Sequence, residues 1–205
     1  MEWATGATAR VAALACDRKG RLLPQLLAAD AVRCALVVDL ALADRVGLAD
    51  DHLALDTTPT GFAPADGLLA AIEVEPERAL AGWFGERRIG LDQIAEALVA
   101  DGAWLARDPR LGRTRYRPAD PERLRRDLRT TLVGPDPAPV DAAVVALGRT
   151  AHLVGELRTV GYHVAPPDVA DDVAAAGPLA WLLADAVAFL LERRARYRWG
   201  DTVLD

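Results

Sequence analysis

At 205 residues, 52% hydrophobic but only 5% aromatic, the chain has material for one folded unit cored mainly by Ala, Leu and Val. A net charge of −6 argues against a general nucleic-acid binder, and the absence of any Ser removes the serine nucleophile. Both Cys16 and Cys34 lie in apolar runs, where reduced, buried thiols are expected rather than a disulfide.

Charge is unevenly placed. Between Arg107 and Arg129 there are nine Arg against Asp108, Asp120, Glu122 and Asp127, a balance of +5 that leaves −11 for the rest. Such a dipolar chain suits an anionic surface, although an Arg-rich stretch can equally be a solvated face. Heavy use of Ala and Arg, with Lys19 the single lysine, is the composition expected of a high-GC bacterial gene.

Ala and Leu favour helix, so a mainly α, single-domain fold is expected over 1–205. A short helix covers about 7–16, and "DRKG" makes a turn. A second helix starts near Pro24 and runs to about Asp44, with Arg33 set among apolar residues. "RVGLADDHLALD" admits a second short hairpin around Asp50 and Asp51, and "TTPTG" (57–61) is a break. Asp66 is expected to cap "GLLAAIEVE", which Pro76 stops. Helical stretches follow at "ERALAGWFGERR" and at 91–102, the latter closed by Gly102.

"AWLARDPRLGRTRYR" (103–117) reads as a protruding β-hairpin with Pro109 and Gly112 in its turn. Period two puts Arg113, Arg115 and Arg117 on one face of its second strand. Asp120 and Pro121 start the next helix; 140–157 and 178–198 are further helices, and "VGYHVAPPD" is a loop. The apolar segment "VAALAC" is too short for a signal-peptide core. "PLAWLLADAVAFLL" (178–191) contains Asp185 and is shorter than the roughly 20 residues of a membrane span. Trp83, Trp104 and Trp181 are expected in the core, whereas Trp3 and Trp199 lie near the termini.

Catalysis has little to work with. His52, His152 and His163 are scattered without metal-ligand spacing, and neither cysteine has a neighbouring His. The Asp50–Asp51 and Asp171–Asp172 pairs read as caps and solvated charges, and no glycine-rich phosphate loop is present. No enzyme activity, metal or cofactor is expected. The helix-then-hairpin order at 91–117 admits a winged-helix nucleic-acid binder, opposed by Asp92, Glu96 and Asp101 on the helix. A pure protein-interaction scaffold is the remaining alternative.

Several segments occur in an order and spacing that together resemble the Golgi phosphoprotein 3 family of peripheral membrane proteins. They are "DRKGRLLP", "RCALVVDLALADRVGL", "TPTG" with "DGLLAAI", "IAEALVADGAWL" and "RTRYRPADPE", covering about residues 10–155. The resemblance implies a helical domain with a protruding hairpin, peripheral on the cytoplasmic face of a membrane. It also implies binding of anionic headgroups such as phosphatidylinositol 4-phosphate, contact with cytoplasmic tails of membrane proteins, and no nucleic acid.

By the same resemblance, Arg33 and Arg88, or Arg87 after a one-residue shift, would hold lipid phosphate. Pro24 and Leu91 stand where the family pattern has a Trp and a further Arg. The hairpin residues Arg110, Leu111, Arg113, Arg115 and Arg117 would meet a membrane or a second copy. Two guanidiniums are worth about 2 kcal/mol at an anionic surface, weaker than millimolar binding. Burying Leu111 would add roughly 1.5–3 kcal/mol, and linked copies would be needed for residence, so a homo-oligomer is expected. The competing reading of Arg33 is a surface pair with Asp30 three residues before it, worth a few tenths of a kcal/mol.

Overall fold

The computed structural model describes residues 2–17, 19–24, 26–49, 52–108, 113–133, 137–153 and 169–200. A 3-10 turn at Trp3–Thr5 leads into α1 (Ala7–Leu14) and α2 (Leu26–Leu42). The hairpin β1 (Val46–Ala49) and β2 (His52–Leu55) precedes α3 (Ala63–Val74), α4 (Leu80–Phe84) and α5 (Leu91–Ala100). A second hairpin, β3 (Trp104–Arg107) and β4 (Arg115–Pro118), is followed by α6 (Pro121–Val133) and α7 (Pro139–Thr150). The described chain ends with α8 (Val169–Ala175), a 3-10 turn and α9 (Ala180–Gly200). The expected mainly α architecture with two antiparallel hairpins is therefore present.

Helix α2 is the axis of the molecule. It is apolar on every side, so it is stable only when surrounded, and it packs on α1, α3, α4, α5, α7 and α9. Its single Asp near the C-terminal end, Asp39, is 2% exposed and turned to α1. The Asp39 carboxylate accepts the Ala7 and Thr8 N–H groups at 2.7 and 2.8 Å, capping α1 from another helix. Gly6 permits that approach, because a Cβ there would lie 2.6 Å from the carboxylate. Arg10 on α1 meets Asp141 on α7 at 2.5 Å, joining a third helix to the pair.

Some local expectations change. Asp66 sits inside the first turn of α3 rather than capping it, because Pro64 suits that turn and the helix starts at Ala63. Its carboxylate accepts the Thr60 N–H and hydroxyl at 2.6 and 2.7 Å instead, fixing the break before the helix. The helix expected over "ERALAGWFGERR" contracts to α4, since Gly85 ends it and residues 85–90 form a loop. Helix α8 had no counterpart in the sequence reading. Trp3 is core, 3% exposed and stacked on Phe62 at 4.3 Å, with Trp83 and Trp104 also buried and Trp181 half-buried. Asp50, Asp51, His163, Pro109, Arg110, Leu111 and Gly112 lie outside the described residues.

The β3–β4 hairpin is held to the body through the turn at 17–21. The Tyr116 N–H donates to the Gly20 carbonyl at 2.7 Å, and Asp17 pairs with Arg21 across the turn at 2.8 Å through backbone atoms. Gly20 has φ +77°, in the left-handed region, and a Cβ there would run into the Tyr116 carbonyl oxygen. Gly20→Ala is therefore expected to lower stability by at least about 1–2 kcal/mol. Urea unfolding checks this: an unchanged midpoint would mean the turn does not clamp the hairpin.

Candidate functional site

Arg33 is buried, with 6% of its side chain exposed, and its guanidinium is engaged on three sides. Its Nε donates to the Phe84 carbonyl at 2.8 Å, Nη1 to the Ile89 carbonyl at 2.9 Å, and Nη2 to Asp30. The Asp30 pairing anticipated from sequence is thus formed, as a buried contact rather than a surface one. Asp30, 1% exposed, also accepts Nε of Arg193 on α9 at 3.0 Å. Arg193 in turn lies 5.3 Å from the Tyr197 ring centroid and 5.8 Å from that of Phe189.

This arrangement makes Arg33 a strut for the loop that follows α4. Both carbonyls it holds bracket residues 85–88, so the two exposed cations there, Arg87 and Arg88, ride on an anchored segment. Glu86 adds a second tie, accepting the Arg88 N–H and an Arg78 donor, each at 3.1 Å. Those bonds, the Arg88 N–H first, hold the Glu86 carboxyl below its ordinary range. Arg78 also donates to the Gly82 carbonyl at 2.7 Å and stacks 4.3 Å from the Trp83 ring centre.

The two exposed guanidiniums have different surroundings. Arg88 borders an apolar groove between α3 and α5, beside Pro64 and Ala97. Burial first, then the Asp30 charge, pushes the Tyr197 phenol up, while the Arg193, Arg87 and Arg33 charges pull it down. Arg33 and Arg193 therefore face one carboxylate, a local balance of +1, and Glu192 on the same helix is engaged by Arg196. Arg33 spends its donors inside the fold, whereas Arg87 and Arg88, on the loop it anchors, are exposed.

Pro24 and Leu91 do meet. With Leu26, Asp92, Glu96 and Arg113 they line an open cleft of about 700 Å³. Its apolar floor and two acids are poor chemistry for a phosphate, because a desolvated anion needs paired donors. The exposed side of α5 carries Asp92, Glu96 and Asp101, a poor surface to lay in a nucleic-acid groove. On the hairpin, Arg115 and Arg117 lie in β4, and Arg113 precedes it, exposed. Asp172 pairs with Arg149 at 2.5 Å.

A family model described as Golgi phosphoprotein 3 (GPP34) matches residues 9–190. The chain belongs to this family. The match extends past residue 155, where the motif resemblance faded, and takes in α8 and most of α9. Comparison with curated proteins gives no match. In this Golgi phosphoprotein 3 family member, Arg33 is buried beneath a basic loop, and the Pro24–Leu91 cleft carries Asp92, Glu96 and Arg113. Among the described residues, no single helix is long and apolar enough to cross a membrane.

Arg193 is the site residue that sequence reading missed. Its partner Asp30 lies 163 residues away, so no local pattern could reveal it. Replacing Asp30 by Ala should cost about 3–5 kcal/mol, because two guanidiniums lose their buried counter-charge. Denaturant unfolding measures that loss, and a change under 1 kcal/mol would show that Asp30 is not the keystone.

The cysteines are free, and burial first, then the Asp17 charge, pushes the Cys16 thiol up to about 12. Burial pushes Cys34 well above its ordinary value. A raised pKa keeps the unreactive thiol at pH 8, with thiolate gained only as pH approaches the shifted value. Iodoacetamide at pH 8 is expected to spare both in the folded protein and modify both after unfolding, as mass spectrometry reads directly.

Proposed function

We propose that this protein is a non-enzymatic peripheral membrane adaptor that binds anionic phospholipid headgroups. One observation carries this reading: Arg33, paired with Asp30 beside Arg193, anchors through the Phe84 and Ile89 carbonyls an exposed loop that bears Arg87 and Arg88. Guanidiniums match phosphate through fork-shaped, charge-assisted hydrogen bonds. Arg87 presents such a fork at the surface, and Arg33 positions it from below. Family membership supports the lipid class, with phosphatidylinositol 4-phosphate the first headgroup to test.

Asp92 and Glu96 in the Pro24–Leu91 cleft favour a headgroup contact at Arg87, away from α5. One exposed cation contributes about 1 kcal/mol at an anionic surface, so residence requires several contacts or several copies acting together. Self-association and capture of cytoplasmic tails of membrane proteins belong to the same proposal, on the cytoplasmic side of a membrane.

Flotation with neutral, phosphatidylserine and phosphatidylinositol 4-phosphate vesicles tests it. Binding is expected with anionic vesicles only, strongest with the phosphoinositide. Arg87→Ala should weaken it about five-fold, the effect of one surface cation. Arg88→Ala should matter less, since its side chain faces the α3–α5 groove. Flotation indifferent to vesicle charge, or no flotation at all, would overturn the proposal.

A further inference from the structure

Helices α3 and α5 pack against each other and leave an apolar groove of about 580 Å³ between them. Pro64, Gly67 and Ala71 of α3 line it with Ala97 and Ala100 of α5. Side chains this small let the backbone of another helix come close. Gly67 lies inside α3, where glycine is disfavoured relative to alanine. A Cβ built on it meets nothing within 4 Å, so no described part of the chain uses the space that the glycine leaves. Val74, three residues beyond Ala71 on the same helix, is 79% exposed, the most exposed large hydrophobic side chain among the described residues.

The groove carries charges of both signs. Arg88 and Glu96 line it, both are exposed, and neither forms an ion pair among the described residues. Its other carboxylate, Glu86, accepts Nη1 of Arg78 and the Arg88 N–H, each at 3.1 Å. Arg78 thus offsets Glu86, and the Arg88 charge reaches that carboxyl only as the last influence on it, after the Arg88 N–H bond, burial and Arg78. Gln93 is used locally, its Oε1 accepting the Gly90 N–H at 2.5 Å. One guanidinium and one carboxylate are left facing outward.

That balance selects the occupant. A ligand of a single sign meets a like charge on one rim of the groove. A surface with both signs around an apolar floor is complementary to itself, and a two-fold axis brings each Arg88 to Glu96 of the other copy. We infer that the α3–α5 groove is an isologous interface through which two copies of this chain pair. This rests on the self-association in the adaptor reading and gives it a surface that includes no residue of the β3–β4 hairpin.

Pairing accounts for the features that the single chain leaves open. The space above Gly67 receives a helix of the second copy, and Val74 at the end of the groove helix is drawn from water. Arg87 is not among the groove residues, so it stays available in the pair. Two copies then carry two Arg87 loops on one particle, and linked contacts of this kind multiply an affinity that each alone leaves weak.

Sedimentation equilibrium of the full chain, without lipid, tests the interface; the wild type is expected to be a dimer. Gly67→Leu fills the groove without meeting the protein's own atoms, and Leu is the better helix former. That variant should unfold no earlier than wild type in urea, yet dimerise at least about ten-fold more weakly. Arg88→Glu and Glu96→Arg should each weaken dimerisation about ten-fold, and the two combined should restore it, as a two-fold charge pairing requires. Leu105→Ala on the hairpin should leave it unchanged. Dimerisation indifferent to Gly67→Leu, or lost in Leu105→Ala, would overturn the groove and leave self-association standing. No recovery in the combined variant would overturn the two-fold pairing. A wild type that is monomeric at every concentration would overturn both this interface and the self-association, while lipid binding stands or falls separately by flotation.

Discussion

A single buried carboxylate organises the candidate site. Asp30 is shared by Arg33, one turn along α2, and by Arg193 on the last helix. Against well-packed apolar replacements such a centre adds little net stability, but leaving any one member alone in the interior is costly. Its value here lies in placement. Arg33 spends its remaining donors on the Phe84 and Ile89 carbonyls, which fixes a loop that has no helix or strand of its own. The position of Arg87 is inherited from that chain of contacts.

The molecule sorts its cations into two populations. Arginines of the first kind are structural: they lie inside or between helices, each against a carboxylate, and join α1 to α7, α7 to α8, and α2 to α9. Those of the second kind, Arg87 and Arg88 on the 85–90 loop and Arg107, Arg115 and Arg117 on the β3–β4 hairpin, form no ion pair among the described residues. The overall charge of −6 therefore says little about either surface. Sign and pairing at each place decide what can approach.

Much of the architecture was legible because its signals are local. Helix α2 announced itself by a long apolar run, α6 by Asp120 and Pro121, with the Arg123 N–H indeed capped by Asp120 at 2.9 Å. The alternation around Tyr116 gave the hairpin and its basic face. The site was legible only in part. Arg33 stood out as a charge in an apolar helix, and Asp30 was visible one turn away, but the other partners lie 51 to 163 residues distant. Periodicity carries no information over such separations. Asp66 misled for a related reason: a short acid near a helix start serves a cap or the preceding turn equally well, and Pro64 decided between them. Lys19 and Arg107 could not be joined to that face from sequence, because neither belongs to the alternating run; only folding the 17–21 turn against β4 puts them beside it.

That turn has a chemical consequence. Lys19 is the one lysine in the sequence, every other basic side chain being an arginine or histidine. Its ammonium group, the only side-chain amine, stands on the wall of a cleft shared with Arg107, Arg115 and Arg117. Acylating reagents directed at side-chain amines are thereby confined to this single address. The protein comes with a native attachment point beside the β3–β4 hairpin, and a reporter placed there requires no substitution elsewhere.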